Sequence, residues 1–297
     1  MPTNYYSNSF QSDVTTVLRT AVQQEGSFLE KTVTKTSYRG AAAQVADFVK
    51  KAPNPIRNQP SKADTQYSDI DTTRRWIYGN TLEEAILIDQ YDKLRTLNDP
   101  SSQYVKVIRD AHGRGRDTEI ITGIFADART GVTGGTTTTF DAANTVGITV
   151  GASGNTGMNL AKITAAKQRL MFNRVDVQRE QLWMVVNSKI WADLVNDPEI
   201  NNKMNGGLLD YKTGTVANIF GINIVMYEDL PVDGSGYLRV PVYTTSAIQL
   251  GIWKDITAVI TPQVAVKRNA TQIYVDQMIG VTRLEEEKVI EIKVLAS

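Results

Sequence analysis

The 297-residue chain sets 32 Lys and Arg against 32 Asp and Glu, so no overall field selects nucleic acid, acidic substrates or anionic lipid as a partner. It has no cysteine and one histidine, His112, which excludes disulfides, thiolate metal sites, cysteine nucleophiles and any triad or metal site built from histidines. No run of about 18 apolar residues occurs, and the polar start lacks the basic and apolar regions of a secretory signal; the expectation is a soluble chain with no membrane partner and no cofactor.

In chain order, residues 1–27 hold an amphipathic fragment through Val14, Val17, Leu18, Ala21 and Val22, which predicts a short helix on a loose arm. Phe28 to Arg39 is rich in Thr and Val and predicts a strand. Ala42, Val45, Ala46 and Val49 then fall at helical spacing. Lys51 to Gln66 breaks the pattern with Pro53, Pro55 and Pro60, a segment with no foothold for a packed element. Tyr67 to Tyr78 predicts a strand paired with an earlier one, closing a long two-stranded excursion. For Thr81 to Thr96 the expectation is a helix, with Leu82, Ala85, Ile86 and Asp89 on one side and a Thr81/Glu84 capping box.

Asn98 to Arg129 is expected to form one long helix, opened by Asp99 and Pro100. Tyr104, Ile108, Ala111, Gly115, Thr118, Thr122 and Phe125 make its expected buried stripe. Gly113 and Gly115 signal a bend or a close backbone approach. Arg109, His112 and Arg116 share a second face, joined by Arg114. That positive cluster suits either backbone phosphates or ion pairing with Asp110, Asp117 or Glu119.

Beyond it, Gly131 to Gly157 is a Gly/Thr-rich loop or edge hairpin. Its head, GVTGGTTTTF, lacks the Lys-Ser/Thr ending of a phosphate-binding loop. Asn159 caps a helix through Leu160, Ile163, Ala166, Leu170 and Met171; Gln181 to Asn187 is a buried strand; Ser188 caps the next helix. Residues 197–215 are loop-like, Gly221 breaks the chain before the strand INIVMYE, and from Tyr237 onward almost everything predicts strand. Glu285 to Lys288 is expected as an exposed turn, and the four tryptophans as core. The class is α+β, since the alternation is too irregular for a doubly wound parallel sheet.

No catalytic equipment is evident, so no enzyme is expected. The remote alternative is a hydrolase using the carboxylate pairs Asp69/Asp71 or Asp89/Asp92.

The order of the pieces adds a resemblance. RRWIYGNTLEEAILIDQYDKLRTLNDPSSQYV, QLWMVVNSKIWADL, GTVANIFGINIVMYEDLP and the strand-rich close together resemble the major capsid proteins of tailed bacteriophages, over roughly residues 28 to 295. The resemblance implies an N-terminal arm at 1–27 and an extended loop at 28–80. It implies a peripheral domain at 81–158 with a spine helix at 100–129, an axial domain at 159–247, and return strands of the peripheral domain at 248–297. It also implies hexamers and pentamers tiling an icosahedral shell around double-stranded DNA, a virion assembled in the host cytoplasm. The expected contact residues on the extended loop are Pro53, Pro55, Arg57, Pro60, Lys62, Arg74 and Arg75, and Arg109, His112, Arg114 and Arg116 either face DNA or pair internally. Lys62 stands near the position at which some relatives cross-link to an Asn, but no matching Asn is identified. The stretch before Phe28 is short for an internal scaffold, so a separate scaffolding protein is expected, with portal and decoration proteins. An encapsulin-like compartment is the alternative that shares the fold.

Overall fold

The computed structural model describes residues 23–40, 42–49, 61–62, 64, 67, 72–89, 101–201, 218–264 and 270–296. After a 3-10 turn at Glu30–Thr32, strand β1 (Thr34–Ser37) is followed by β2 (Ala42–Val49), β3 (Thr72–Tyr78) and β4 (Asn80–Ile88). Helix α1 (Ser101–Phe125) leads into the hairpin β5 (Ala128–Thr130) and β6 (Thr136–Thr138), and then the short β7 (Thr145–Val146). Helix α2 (Leu160–Phe172), β8 (Leu182–Val186), α3 (Ser188–Asn196) and α4 (Pro198–Asn201) come next. The chain closes with β9 (Asn218–Ile219), β10 (Ile222–Met226), β11 (Tyr237–Thr244), β12 (Ile248–Val264), β13 (Ala270–Arg283) and β14 (Val289–Leu295).

These strands make three sheets, ordered β1-β12-β13-β4, β7-β14-β11-β8-β10-β9 and β2-β3-β5-β6. The class is α+β as expected, and β2 pairs antiparallel with β3 to make the two-stranded excursion. Its Pro-rich middle, with Pro53, Pro55, Arg57 and Pro60, lies outside the described residues, as do residues 1–22, Asp99 and Pro100.

Two expected helices are strands. Ala42–Val49 pairs with β3, with a register shift between Gln44 and Ala46. A bulge there inserts one residue and breaks the strict alternation of a strand, so the apolar spacing imitates a helix. Asn80–Ile88 pairs with β13 along nine positions, from Asn80 opposite Ile279 to Ile88 opposite Thr271. Leu82, Ile86 and Ile88 are its more buried residues, an inward row at even spacing that overrides the helix propensity of Leu, Glu and Ala. Phe28 to Arg39 is a strand only at Thr34–Ser37, where it runs parallel to β12.

Residues 23–33, before that strand, form a strap, while residues 1–22 of the expected arm lie outside the described residues. Leu29 and Val33 are in the main core, and Thr32 Oγ1 lies 2.6 Å from the buried Tyr243 hydroxyl. Burial raises the Tyr243 pKa, which keeps the phenol neutral.

α1 joins two cores. Its Ile108 belongs to a small cluster with Ile88, Ile273 and Val275, while Ile120, Ile121 and Ile124 belong to the large core around the six-stranded sheet. The buried stripe is rotated from the expected one. Thr118 and Thr122 are exposed, and Ile108, His112, Gly113, Arg116, Asp117, Ile120 and Ile124 face inward. Hydropathy hides this face because its polar members are buried in pairs and hydrogen bonds. Gly113 marks a close backbone approach: a Cβ there would stand 2.5 Å from the Gly26 carbonyl carbon.

Asn159 caps α2 by accepting from Lys162 N at 2.9 Å. The cap of α3 is Asn187, not Ser188: its side chain accepts from Ile190 N at 2.9 Å, while Ser188 donates to Glu228. Gly221, at φ 83°, turns the chain between β9 and β10. Among the closing strands, β12 and β13 pair with each other and β13 with β4, whereas β14 joins β11 in the six-stranded sheet. The last strand therefore belongs to the same sheet as β8 and β10.

Candidate assembly surfaces and the braces behind them

Arg116 is the centre of one brace. It is 4% exposed and donates to Glu30 Oε2 at 2.7 Å, Asp255 Oδ1 at 2.7 Å and Gln277 Oε1 at 3.0 Å. One guanidinium thus ties α1 to the strap, β12 and β13. A planar fork with several donors fits this role where a lysine would not. Burial disfavours the charged guanidinium, yet the two carboxylates outweigh it and raise its pKa. The hydrogen bond from Arg116 in turn lowers that of Asp255.

Asp117, one residue on, holds the strap directly. Its carboxylate accepts from the Gln24 side chain, the Ser27 hydroxyl, and the Phe28 and Leu29 amides, each amide at 3.0 Å. Asp110 accepts from Gly26 N at 3.2 Å, and Arg114 donates to Gln23 Oε1 and Gln24 O.

The basic face of α1 is therefore mostly internal. His112 is 5% exposed and burial lowers its pKa; its carbonyl accepts from Gln277 Nε2 at 2.9 Å. Neither His112 nor Arg116 reaches a surface that DNA could touch. Arg116 does pair, but with Glu30 and Asp255 rather than with Asp110, Asp117 or Glu119. Arg109 is exposed and borders a cavity of about 340 Å³ lined also by Gly26, Val105, Lys106, Asp110 and Ile256.

A second brace sits at the base of the β2–β3 hairpin. Arg283, with no solvent exposure, donates through Nη1 to the Ile124 and Ala126 carbonyls at 2.6 and 2.9 Å, and through Nε to Glu286 at 2.6 Å. It satisfies carbonyls at the end of α1, where positive charge is favoured. Arg75 joins the same Glu286 and also donates to the Leu284 carbonyl at 2.9 Å. Burial raises the Glu286 pKa even with two guanidiniums beside it. The Glu285–Lys288 turn is consequently not a free surface feature. The guanidinium of Arg239 stacks 4.0 Å over the Phe125 ring and that of Arg283 lies 5.2 Å from the Phe140 centroid.

Of the expected contact residues, Arg75 is 6% exposed and committed inside the chain. Arg74 points to a cavity of about 390 Å³ lined by Thr72, Thr73, Thr130, Gly131 and Val132. Lys62 is exposed, at φ 67°. The other loop residues lie outside the described set.

The sequence offered Asp117 only as an ion-pair partner for the basic cluster, and did not single out Gln277 or Arg283. Arg283 and Glu286 are three apart in sequence and pair locally. Their other partners are 80 or more positions away, beyond any local pattern.

Among the described residues no group of three His, Asp or Glu is placed to hold a metal, and no helix is long and apolar enough to cross a membrane. Of the candidate acids, Asp69, Asp71 and Asp92 lie outside the described residues. The ionisable groups that converge are spent on bracing. The long helix α1 is tied to an N-terminal strap, and the base of the β2–β3 hairpin is held by the buried Arg75 and Arg283.

The chain belongs to the phage capsid protein family, whose model matches residues 4–296; as a member of that family it is a structural component of the virion. It is similar in fold to the capsid structure of the cyanophage P-SCSP1u, with TM-score 0.74 and 17% identity, covering 98% of this chain and 94% of that one. The cyanophage Pam1 capsid gives TM-score 0.71 at 14% identity, with 98% and 97% covered. The capsid of a native GTA particle gives 0.69 at 14%, with 99% and 98% covered. No curated protein sequence matches.

Proposed function

We propose that this chain is the major capsid subunit of a tailed double-stranded DNA phage, and that it tiles an icosahedral shell as hexamers and pentamers. The observation that carries the reading is the capsid family match across residues 4–296. The β2–β3 hairpin, with its Pro-rich connection, serves as the extended loop that reaches a neighbouring subunit. α1 serves as the spine, the β12–β13–β4 sheet as the peripheral domain, and the six-stranded sheet with α2 and α3 as the axial domain. Many weak symmetric contacts then add to a stable shell.

A separate scaffolding protein, a portal and a decoration protein complete the particle, which is assembled in the host cytoplasm. The packaged DNA is met without sequence specificity, through phosphates. Arg109 and Arg114 remain the candidates on α1 for that contact, since Arg116 and His112 are enclosed.

The test is sedimentation velocity with negative-stain imaging of the purified protein, alone and with a candidate scaffold. Closed shells, or rings of five and six, support the reading. A compact monomer under every condition argues against it. DNA inside the particles distinguishes a capsid from a cargo compartment, which would hold protein.

A further inference from the structure

The inward face of α1 changes character along its length. Ile108 packs in the small cluster with Ile88, Ile273 and Val275, and Ile120, Ile121 and Ile124 pack in the large core. Between them the buried residues are Asp110, His112, Gly113, Arg116 and Asp117, so the two apolar cores meet across a polar seam. β12 is irregular at the same level. Its register on β13 shifts between Lys254, opposite Met278, and Thr257, opposite Asp276, so that Asp255 and Ile256 face the single residue Gln277. A bulge of this kind bends the strand and interrupts its ladder. Asp255 and Gln277 are also the residues that Arg116 holds from α1.

His112 sits in this seam with an incomplete set of hydrogen bonds. One ring nitrogen bonds to the Val275 backbone, while Nδ1 is buried with no partner among the described residues. Asp276, next to Val275, is 8% exposed and presents a second such atom: Oδ2 takes the Lys254 ammonium, and Oδ1 is buried with no partner among the described residues. The other charges that act on the imidazole are Glu84 on β4, which favours its protonation, and Arg116, which opposes it. Glu83 accepts from the Tyr274 hydroxyl, and Glu30 of the strap and Asp255 of β12 pair with Arg116. Burial outweighs the favourable charges and holds the His112 pKa below its ordinary 6.5. The hydrogen bond from Arg116 lowers the Asp255 pKa, and Lys35 and Arg116 lower that of Glu30 against its burial, so both carboxylates stay ionised above about pH 5.

We propose that His112 is a proton-operated latch between α1 and β13: neutral, it pins the small core to the large one across the polar seam, and protonated at Nδ1 it opens the seam at the β12 bulge. A proton on Nδ1 puts a charge and a new N–H donor where no acceptor is in place, which a closed interior disfavours. The free Asp276 Oδ1 can meet that donor only if Asp276 moves from Lys254, on a strand already out of register there. Proton uptake therefore shifts population from the closed seam to the opened one. Because the pKa in the closed state lies below the ordinary value, the seam is fully stable above pH 6.5 and loses stability as pH falls below it. Histidine is the side chain whose charge changes in this range, and the chain has no other. The latch is a property of the folded chain and stands apart from the shell reading.

The experiment is hydrogen–deuterium exchange of the full chain from about pH 7.5 to 5.5, read by mass spectrometry. Exchange at the imidazole C2 position, which a single histidine reports without overlap, is expected to titrate with a midpoint below 6.5. Amide exchange in residues 254–264 and 270–277, corrected for the intrinsic rate at each pH, is expected to rise severalfold over the same range, while β8 and β11 stay protected. H112Q keeps a donor for the Val275 backbone and takes up no proton, so the rise should vanish. D276N removes the waiting carboxylate, which favours the charged ring, so the C2 midpoint should fall further. A midpoint at or above 6.5, flat corrected amide exchange in wild type, an undiminished rise in H112Q, or an unmoved midpoint in D276N each overturns the latch. Should H112Q fail to fold, wild type and D276N decide between them.

Discussion

Arg283 combines complete burial with three protein acceptors, so its removal strands the end of α1 and leaves the buried Glu286 with Arg75 as its guanidinium partner. Arg283→Met is expected to cost about 3 kcal/mol, because it breaks a buried ion pair and leaves the Ile124 and Ala126 carbonyls without their donor. Adding Glu286→Gln should recover part of that loss, and urea unfolding of both variants checks it. Lys162 is a related case. Burial pushes its amine down to about 8, which still leaves it an ammonium at neutral pH. Each of its protons has a carbonyl, on Thr156, Gly157 and Lys293.

Asp233 supplies a test by pH. The Lys293 ammonium, and then the Tyr237 and Ser235 amides, hold its pKa at about 2, against an ordinary 3.8. A folded value below the unfolded one means that stability is fully present above the unfolded value and is lost as pH falls through the folded one. Asp233→Asn should therefore be less stable than wild type above pH 4 or so, on the order of 1 kcal/mol after solvent screening. The difference should close as pH falls from about 4 to 2. A gap unchanged at pH 2 in thermal melts would remove Asp233 from the account.

In α1, two helical glycines separate packing from propensity. A Cβ at Gly113 meets the Gly26 backbone at 2.5 Å, whereas one at Gly115 meets only a Leu82 methyl at 3.3 Å. Gly113→Ala should cost about 1–3 kcal/mol by forcing the strap off the helix. Gly115→Ala should be close to neutral or stabilising, by up to about 1 kcal/mol of helix propensity. Chemical denaturation gives both signs in one experiment. The sequence offered a bend or a close approach at Gly113 and Gly115 alike, and could not choose between them, because Gly26 lies far away in the chain. The same limit explains β4. Its Leu, Glu and Ala content favours helix locally, and only the ladder to β13, some 190 positions later, makes it a strand.

At the scale of the particle, the β2–β3 hairpin is the proposed contact with a neighbouring subunit. Deleting residues 53–62 should leave a monomer that melts like wild type but forms no shells, measured by sedimentation. Normal shells from the deletion would remove the loop from the assembly mechanism. Replacing Arg109 and Arg114 by Ala should lower the salt dependence of DNA retention by about one unit of slope per lost phosphate contact, read from heat-induced DNA release at several salt concentrations. Unchanged slopes would place the DNA-facing surface elsewhere.

Local information in the chain settles what is local: the Asn159 cap, the turn at Gly221, the long helix, the strands after Tyr237, and the absence of thiol or multi-histidine chemistry. The order of those pieces was enough to place the chain in its family. Tertiary structure decided which face of α1 is inward, that Arg75, Arg116 and Glu286 form internal ion pairs, and that β14 joins the six-stranded sheet. These depend on partners such as Glu30, Asp255 and Arg283, which are far from those residues in sequence in most cases and adjacent in space. Burial of a charge is decided by whether such a partner arrives, and no periodicity in a single segment records that.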